Sequence, residues 1–158
     1  MTTRILCVCL GNTCRSPTAH GMLRAALAGS DVTVDSAGTG VRSKVGAPPT
    51  ARAQQLANAQ GYDIGNLRAR QFTRQDFLNF DLILVMDHGN LRDVEALRPV
   101  NSETLVKLFL DLVTQTPTEV PDPYNTGDYE GAFKLIEAGA KAWANQLQLA
   151  STAAPKAT

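Results

Sequence analysis

Residues 9–16 read Cys9-Leu10-Gly11-Asn12-Thr13-Cys14-Arg15-Ser16, a thiol followed six positions later by an arginine, directly behind the apolar run Ile5-Leu6-Cys7-Val8. A thiol, a guanidinium and a hydroxyl on one short loop are the parts of a phosphate site with a nucleophile at its centre. If residues 4–8 are a buried strand and Pro17 opens a helix, the loop between them must turn sharply. Its successive backbone N–H groups, from Leu10 to Cys14, then point inward as an anion-binding nest at a helix N-terminus. Cys9 lies on the floor of that nest. The dipoles and N–H groups that hold a phosphate dianion also favour a thiolate, the form in which cysteine attacks. Arg15 presents a planar fork to two phosphate oxygens, which the point charge of a lysine does not match. Ser16 can donate a hydrogen bond to the sulfur. Attack on phosphorus would give a phosphocysteine and divide one hard hydrolysis into two displacements. Transition-state charge spreads over the equatorial oxygens, where the nest and Arg15 point, so the scheme needs no metal or other cofactor.

The elements that must position these residues follow from apolar spacing. Residues 4–8 form a short apolar strand, and residues 17–28 a helix whose Ala, Met and Leu positions recur at helical spacing before Gly29 ends it. Residues 31–35 alternate as a second strand leading into a Ser36-Ala37-Gly38 turn and a Gly/Ser/Lys-bearing loop through Pro49. Thr50 caps a helix reaching about Gln60, stopped by Gly61. A shorter helix begins at Thr73, residues 81–86 are a third buried strand, and residues 88–97 are helical. Residues 105–110 make the weakest strand, residues 117–123 an irregular loop, and residues 128–149 a long amphipathic helix with Phe133, Ile136, Ala140, Trp143 and Leu147 on one face. Residues 1–150 read as one domain and residues 151–158 as a frayed tail. Nearly continuous apolar strands alternating with helices predict a parallel sheet covered on both faces, with ligands beyond the strand C-termini. Cys9 ends the first strand, Ser36 follows the second and Asp87 ends the third, so three polar features meet at one rim.

These residues also carry a resemblance. Residues 8–17, with Asp35-Ser36-Ala37-Gly38-Thr39, Ala69-Arg70-Gln71, Phe80-Asp81 to Met86-Asp87 and Asp122-Pro123-Tyr124, resemble in order the low-molecular-weight protein tyrosine phosphatase family over residues 4–147. The resemblance implies a flavodoxin-like order of four strands. It also implies that Asp122 is the general acid, which then activates water against the phosphocysteine, and that Tyr124 forms one wall of the pocket. Asn12, Ser16 and Ser36 resemble the hydrogen-bond scaffold of the phosphate loop, and Asp87 is either a supporting residue or a helix N-terminal carboxylate. Four positions depart from the family pattern. Leu67, three before Arg70, stands where many members carry His. The 39–46 loop lacks the aromatic that many members place at the pocket rim, so ring stacking is weaker or replaced by contacts from Arg42 and Lys44. Thr13 stands where tyrosine phosphatases usually show Ile and resembles the threonine of bacterial protein arginine phosphatases, but those tend to carry Asp-Pro-Phe where this chain has Asp122-Pro123-Tyr124, so phosphotyrosine ranks first as substrate and phosphoarginine second. Asn125 replaces the second tyrosine of the vertebrate Asp-Pro-Tyr-Tyr pair.

Composition narrows the remaining classes. At 158 residues, with 15 Lys+Arg against 15 Asp+Glu, the chain gives no reason to expect nucleic acid or an anionic membrane as partner. Cys7, Cys9 and Cys14 are the three cysteines, an odd count all near the start and poorly suited to a secreted disulfide framework. No signal-like or membrane-length apolar segment is expected, which points to the cytoplasm. The expected partner is a phosphotyrosine-containing protein, such as a bacterial-type tyrosine kinase, and the expected state a monomer or weak dimer. An arsenate reductase of similar fold needs resolving cysteines downstream, and none follows Cys14. A zinc site from Cys7, Cys9, Cys14 and His20 lacks ligand spacing and would set Arg15 beside a cation. Cys7 reads as a buried structural thiol, and His20 and His88 as surface or capping residues. Cys9 and Cys14, at the two ends of one loop, are candidates for a disulfide after oxidation of Cys9.

Overall fold

The computed structural model describes residues 2–115 and 117–153. Four parallel strands, β1 (Thr3–Cys9), β2 (Val32–Gly38), β3 (Leu82–Val85) and β4 (Leu105–Leu108), lie in the order β2-β1-β3-β4. This is the single-domain, four-stranded parallel architecture with helices on both faces that the alternation of elements predicts. Alternate residues of the two central strands face opposite sides, as the period of two requires. Ile5, Cys7 and Cys9 with Leu82, Leu84 and Met86 pack beneath helices α1 (Arg15–Ala26) and α6 (Tyr129–Ala153). Leu6, Val8, Ile83 and Val85 meet Phe72, Phe77 and Val94 on the other side, where α3 (Asp76–Asn79) and α4 (His88–Glu95) lie. From Ile5 to Cys9 in β1 and throughout β3 the central strands are buried, so a polar side chain survives only at their ends.

The long helix is drawn tight against the sheet. Trp143 Nε1 donates to the Phe109 carbonyl at 2.8 Å, just past β4. A Cβ at Gly139 would fall 2.5 Å from the Phe109 ring, so only glycine permits this approach. Helix α2 (Ala51–Ala59) starts where expected, Thr50 accepting from the Ala53 N–H.

Several boundaries differ from those the sequence predicts. Helix α1 begins at Arg15, because the end of the phosphate loop is itself the first helical turn and Pro17 still falls where no intrahelical N–H is needed. Ser36, Ala37 and Gly38 belong to β2, not to a turn after it, since they continue in register against Cys7, Val8 and Cys9. The third helix begins at Asp76, with Asp76 capping the Thr73 N–H, and α4 ends at Glu95. Two short helical pieces replace expected loop: a 3-10 turn over Arg42–Lys44, and α5 (Pro123–Thr126). Helix α6 runs to Ala153, three residues into the expected tail, and residues 154–158 lie outside the described residues.

Candidate active site

The apolar run of β1 carries Cys9 to the C-terminal edge of the sheet and stops there. The chain then turns through Leu10, Gly11, Asn12 and Thr13 into α1. Asn12 takes φ 55°, the left-handed region that asparagine tolerates better than most side chains. That conformation aims the Asn12 N–H at Cys9 Sγ, 3.3 Å away. Three hydrogen bonds hold it: Asn12 Nδ2 donates to Ser16 Oγ at 2.7 Å, Asn12 Oδ1 accepts from the Arg70 N–H at 2.9 Å, and the Thr13 carbonyl accepts from the Thr50 N–H at 2.8 Å. Gly38 must be glycine for the loop to lie where it does, because a Cβ would meet the Leu10 carbonyl oxygen at 2.5 Å.

Ser16 has one hydroxyl proton and two acceptors, Cys9 Sγ at 3.0 Å and the Ala37 carbonyl at 3.3 Å. Its oxygen is already occupied by Asn12. A thiolate is the stronger acceptor of the two, so ionisation of Cys9 draws the proton to sulfur. No side chain caps α1 and its first turn carries no acid, which leaves those donors to a ligand. The other two thiols are unsuited to serve as the nucleophile toward phosphorus. Cys7 is completely buried and pushed far up, first by desolvation, and Cys14, half-buried at the loop's far end, is pushed up to about 12 by burial and by Cys9.

Arg15 is almost wholly buried, yet remains charged. Burial alone would lower its proton affinity, but Cys9, Asp87 and Asp122 together hold it above the ordinary arginine value. Nη1 donates to Asp87 Oδ2 at 2.7 Å and to the Val120 carbonyl at 2.9 Å, while Nη2 stands 3.4 Å from Asp122 Oδ2. Asp87 fills both roles the sequence offered for it. Its Oδ1 accepts from the Asn90 N–H at 2.8 Å as the N-cap of α4, with Asn90 returning a bond to the Asp87 N–H, while Oδ2 anchors Arg15. Asp122 caps α5 through the Tyr124 N–H at 3.0 Å, and Gly127 closes that turn at φ 74°. Tyr124 stands 89% exposed at the mouth.

Cys9, Leu10, Gly11, Thr13, Cys14, Arg15, Asp122 and Tyr124 line one cavity of about 490 Å³. Asn12 and Ser16 lie just beneath it. Arg42, Lys44, Thr50 and Tyr129 also line it, of which Thr50 and Tyr129 were not legible as site residues. Ser36 is the exception among the expected scaffold. Its hydroxyl bonds to His20 Nδ1 at 3.2 Å, so it braces α1 against β2 instead of touching the loop. His20 is accordingly a buried partner and not a surface residue. Leu67, where many family members carry His, packs half-buried against the core, and the backbone N–H of Arg70 holds Asn12 in place. The Arg70 guanidinium binds Asp35 at 3.1 Å and Asp76 at 3.0 Å, a pairing that spacing does not reveal because its members come from β2, α3 and the loop between α2 and α3. Among the described residues, no three His, Cys, Asp or Glu side chains are placed to hold a metal ion.

A thiol inside an anion nest at the carboxyl edge of a flavodoxin-like sheet, with no cysteine after Cys14, is the arrangement of the cysteine-dependent phosphatases, hydrolases acting on phosphomonoesters. Comparison with known proteins specifies the class further. The family model described as low molecular weight phosphotyrosine protein phosphatase matches residues 4–153, and the chain belongs to that family. It is 36% identical over 140 residues to the low molecular weight protein-tyrosine-phosphatase YfkJ of Bacillus subtilis, covering 85% of this chain and 89% of that protein. The rat low molecular weight phosphotyrosine protein phosphatase is 36% identical over 138 residues, covering 82% of this chain and 86% of that protein. The crystal structure of YfkJ superimposes with a TM-score of 0.88 at 33% identity over 95% of this chain and 97% of that one. Vibrio vulnificus Wzb in complex with benzylphosphonate gives 0.82 at 32% identity over 92% and 99%.

Proposed function

We propose that the protein hydrolyses phosphotyrosine in proteins, and small aryl phosphates, by passing the phosphoryl group through Cys9. The Cys9 thiolate attacks phosphorus, the bond from phosphorus to the tyrosyl oxygen breaks, and the Asp122 carboxyl gives its proton to the departing phenoxide. The Asp122 carboxylate then takes a proton from water as that water attacks the phosphocysteine, releasing inorganic phosphate and restoring the thiolate. Arg15 and the loop N–H groups carry the equatorial charge in both steps. The observation that carries this reading is the pair of donors on one sulfur, the Asn12 N–H and the Ser16 hydroxyl. The benzylphosphonate held by Wzb, a phosphonate on a benzyl group, supports an aryl-bearing substrate. Thr13, placed on the cavity wall, favours phosphoarginine as the second reading, since its hydroxyl can accept from a phosphoramidate N–H. Turnover of matched phosphotyrosine, phosphoserine and phosphoarginine peptides separates the three. Phosphotyrosine is expected to be fastest, and a phosphoarginine rate above it reverses the ranking.

The substrate we infer is a tyrosine-phosphorylated protein of the cytoplasm, such as a bacterial-type tyrosine kinase, met by a monomer or weak dimer. No helix among the described residues is long and apolar enough to cross a membrane. Oxidation gates the site in the same reading. Peroxide converts the Cys9 thiolate to a sulfenic acid, and attack by the Cys14 thiolate closes a disulfide with loss of hydroxide. Because burial pushes the Cys14 thiol up, that closure should accelerate as pH rises through neutrality. Peroxide inactivation should stay reversible by thiols in Cys7→Ala and become permanent in Cys14→Ala. A Cys7–Cys9 bridge in peptide maps would contradict it.

A further inference from the structure

Arg42 and Lys44 stand on the cavity rim. Both are exposed, both line the cavity that holds Cys9 and Arg15, and neither has an ion-pair partner among the described residues. Arg4 pairs with Asp81, Arg52 with Glu130, Arg70 with Asp35 and Asp76, and Arg98 with Glu95, while Arg24, Arg68, Arg74 and Arg92, which have no ion pair among the described residues, do not line this cavity. The turn that carries the two cations is pinned. Gln71 Oε1 accepts from the Val41 N–H at 3.0 Å, Gln71 Nε2 donates to the Thr39 carbonyl at 2.8 Å, and the Gly46 N–H donates to the Ala69 carbonyl at 2.8 Å. Arg42 sits at φ 53°, where glycine or asparagine would rest with less strain, yet the position carries a long cation. The part of the rim built by α5 and the start of α6 is different in kind, offering Tyr124 and Tyr129, the latter between Asp128 and Glu130 in sequence.

We propose that Arg42 and Lys44 select phosphotyrosines flanked on one side by aspartate or glutamate, a substrate class that rests on the phosphatase reading above. The phosphate fills the nest, the ring stands among Leu10, Val41 and Tyr124, and the peptide leaves the cavity over the 3-10 turn. At about 3.3 Å per extended residue, carboxylates within roughly three positions of the phosphotyrosine come within reach of the two side chains. Two cations on a chain of zero net charge are too few to hold an anionic membrane or a nucleic acid, but enough to rank peptides. Simple steering of the phosphate dianion would speed every substrate alike, whereas flank selection acts only where the peptide supplies carboxylates.

Three peptides that differ only in flank test this: acidic before the phosphotyrosine, acidic after it, and alanine on both sides, with an aryl phosphate alongside. One acidic peptide should exceed the alanine peptide in kcat/KM by about three- to tenfold at low ionic strength, and the ratio should fall toward one as salt screens the exposed pairs. Arg42→Asn with Lys44→Gln, which keeps a side chain suited to the backbone at 42, should bring the ratio to one. Lys44→Glu should shift the preference toward a lysine-flanked peptide. Equal kcat/KM for acidic and alanine peptides in the wild type, or a ratio that survives the double substitution, overturns the proposal. Aryl phosphate turnover with a ratio of one removes the flank selection alone, while no turnover of any aryl or tyrosyl phosphate removes the phosphatase reading with it.

Discussion

Two carboxylates meet Arg15, and their distances divide the labour. Asp87 holds Nη1 at 2.7 Å while also capping α4, so it orients the guanidinium and cannot leave without disordering a helix start. Asp122, the N-cap of the short α5, keeps Oδ1 on the Tyr124 N–H while Oδ2 stands 3.4 Å from Nη2 on the cavity wall, and in the proposed mechanism it is this Oδ2 that meets the leaving group. Asp122→Asn should therefore lower kcat by roughly 10²–10⁴-fold on phosphotyrosine, the usual share of general acid catalysis. Asparagine caps a helix about as well as aspartate, so folding should be nearly untouched. The loss should shrink for leaving groups that depart without a proton, and an equal loss across leaving groups of very different basicity would count against this assignment. The catalytic types and their spacing from 9 to 16 were legible because one loop supplies them all. The Arg15–Asp87 and Arg15–Asp122 contacts span 72 and 107 residues of chain (87 − 15 and 122 − 15), and the first had no signature beyond a strand-end aspartate.

At the scale of elements, the site depends on how α1 is fastened to β2. Two stitches, Ser16 to the Ala37 carbonyl and His20 to Ser36, sit one helical turn apart and fix the Ser16 hydroxyl over Cys9. Burial pushes His20 down to about 4, with Asp35 opposing and Arg24 reinforcing the shift. The unfolded chain, with an ordinary histidine near 6.5, takes up a proton that the folded one refuses, so stability falls as pH drops from about 6.5 to about 4. Between pH 7 and pH 5 this should cost about 2 kcal/mol, read as a shift in denaturant midpoint. His20→Gln, which can still bond Ser36 but does not titrate, should flatten that limb; an unchanged slope would show that His20 is not its source. The helical period of α1 was visible in sequence, but which β2 residue faces His20 depends on the strand register. β4 was faint for a related reason. It pairs on one side only, and Leu105, with Lys107, is exposed, so the apolar run that marks β1 and β3 is diluted.

Across the whole molecule, the sheet gathers residues from both halves of the chain onto one edge. β1 delivers Cys9, the chain just past β3 holds the Asp87 anchor, and the chain beyond β4 returns with the Val120 carbonyl on Arg15 and with Asp122 and Tyr124 on the cavity wall. α6 then seals the opposite flank, its Gly139 notch and Trp143 hydrogen bond tying it to Phe109. That parallel alternation was readable because buried strands need continuous apolar residues. The 3-10 turn at Arg42–Lys44 and helix α5 were not, since pieces this short are fixed by contacts from elsewhere, such as Gln71 on Val41. The central claim is that phosphate passes through the Cys9 sulfur. Acid quenching of the protein during turnover of an aryl phosphate, followed by mass mapping, tests it most directly. The wild type should carry phosphate on the peptide containing Cys9, and with an aryl phosphate whose leaving group departs without a proton Asp122→Asn should accumulate more of it, because only the attack by water then lacks its base. Cys9→Ser should carry none and turn nothing over while still binding phosphate. Turnover retained in Cys9→Ser, or phosphate trapped on any other residue, would contradict the account.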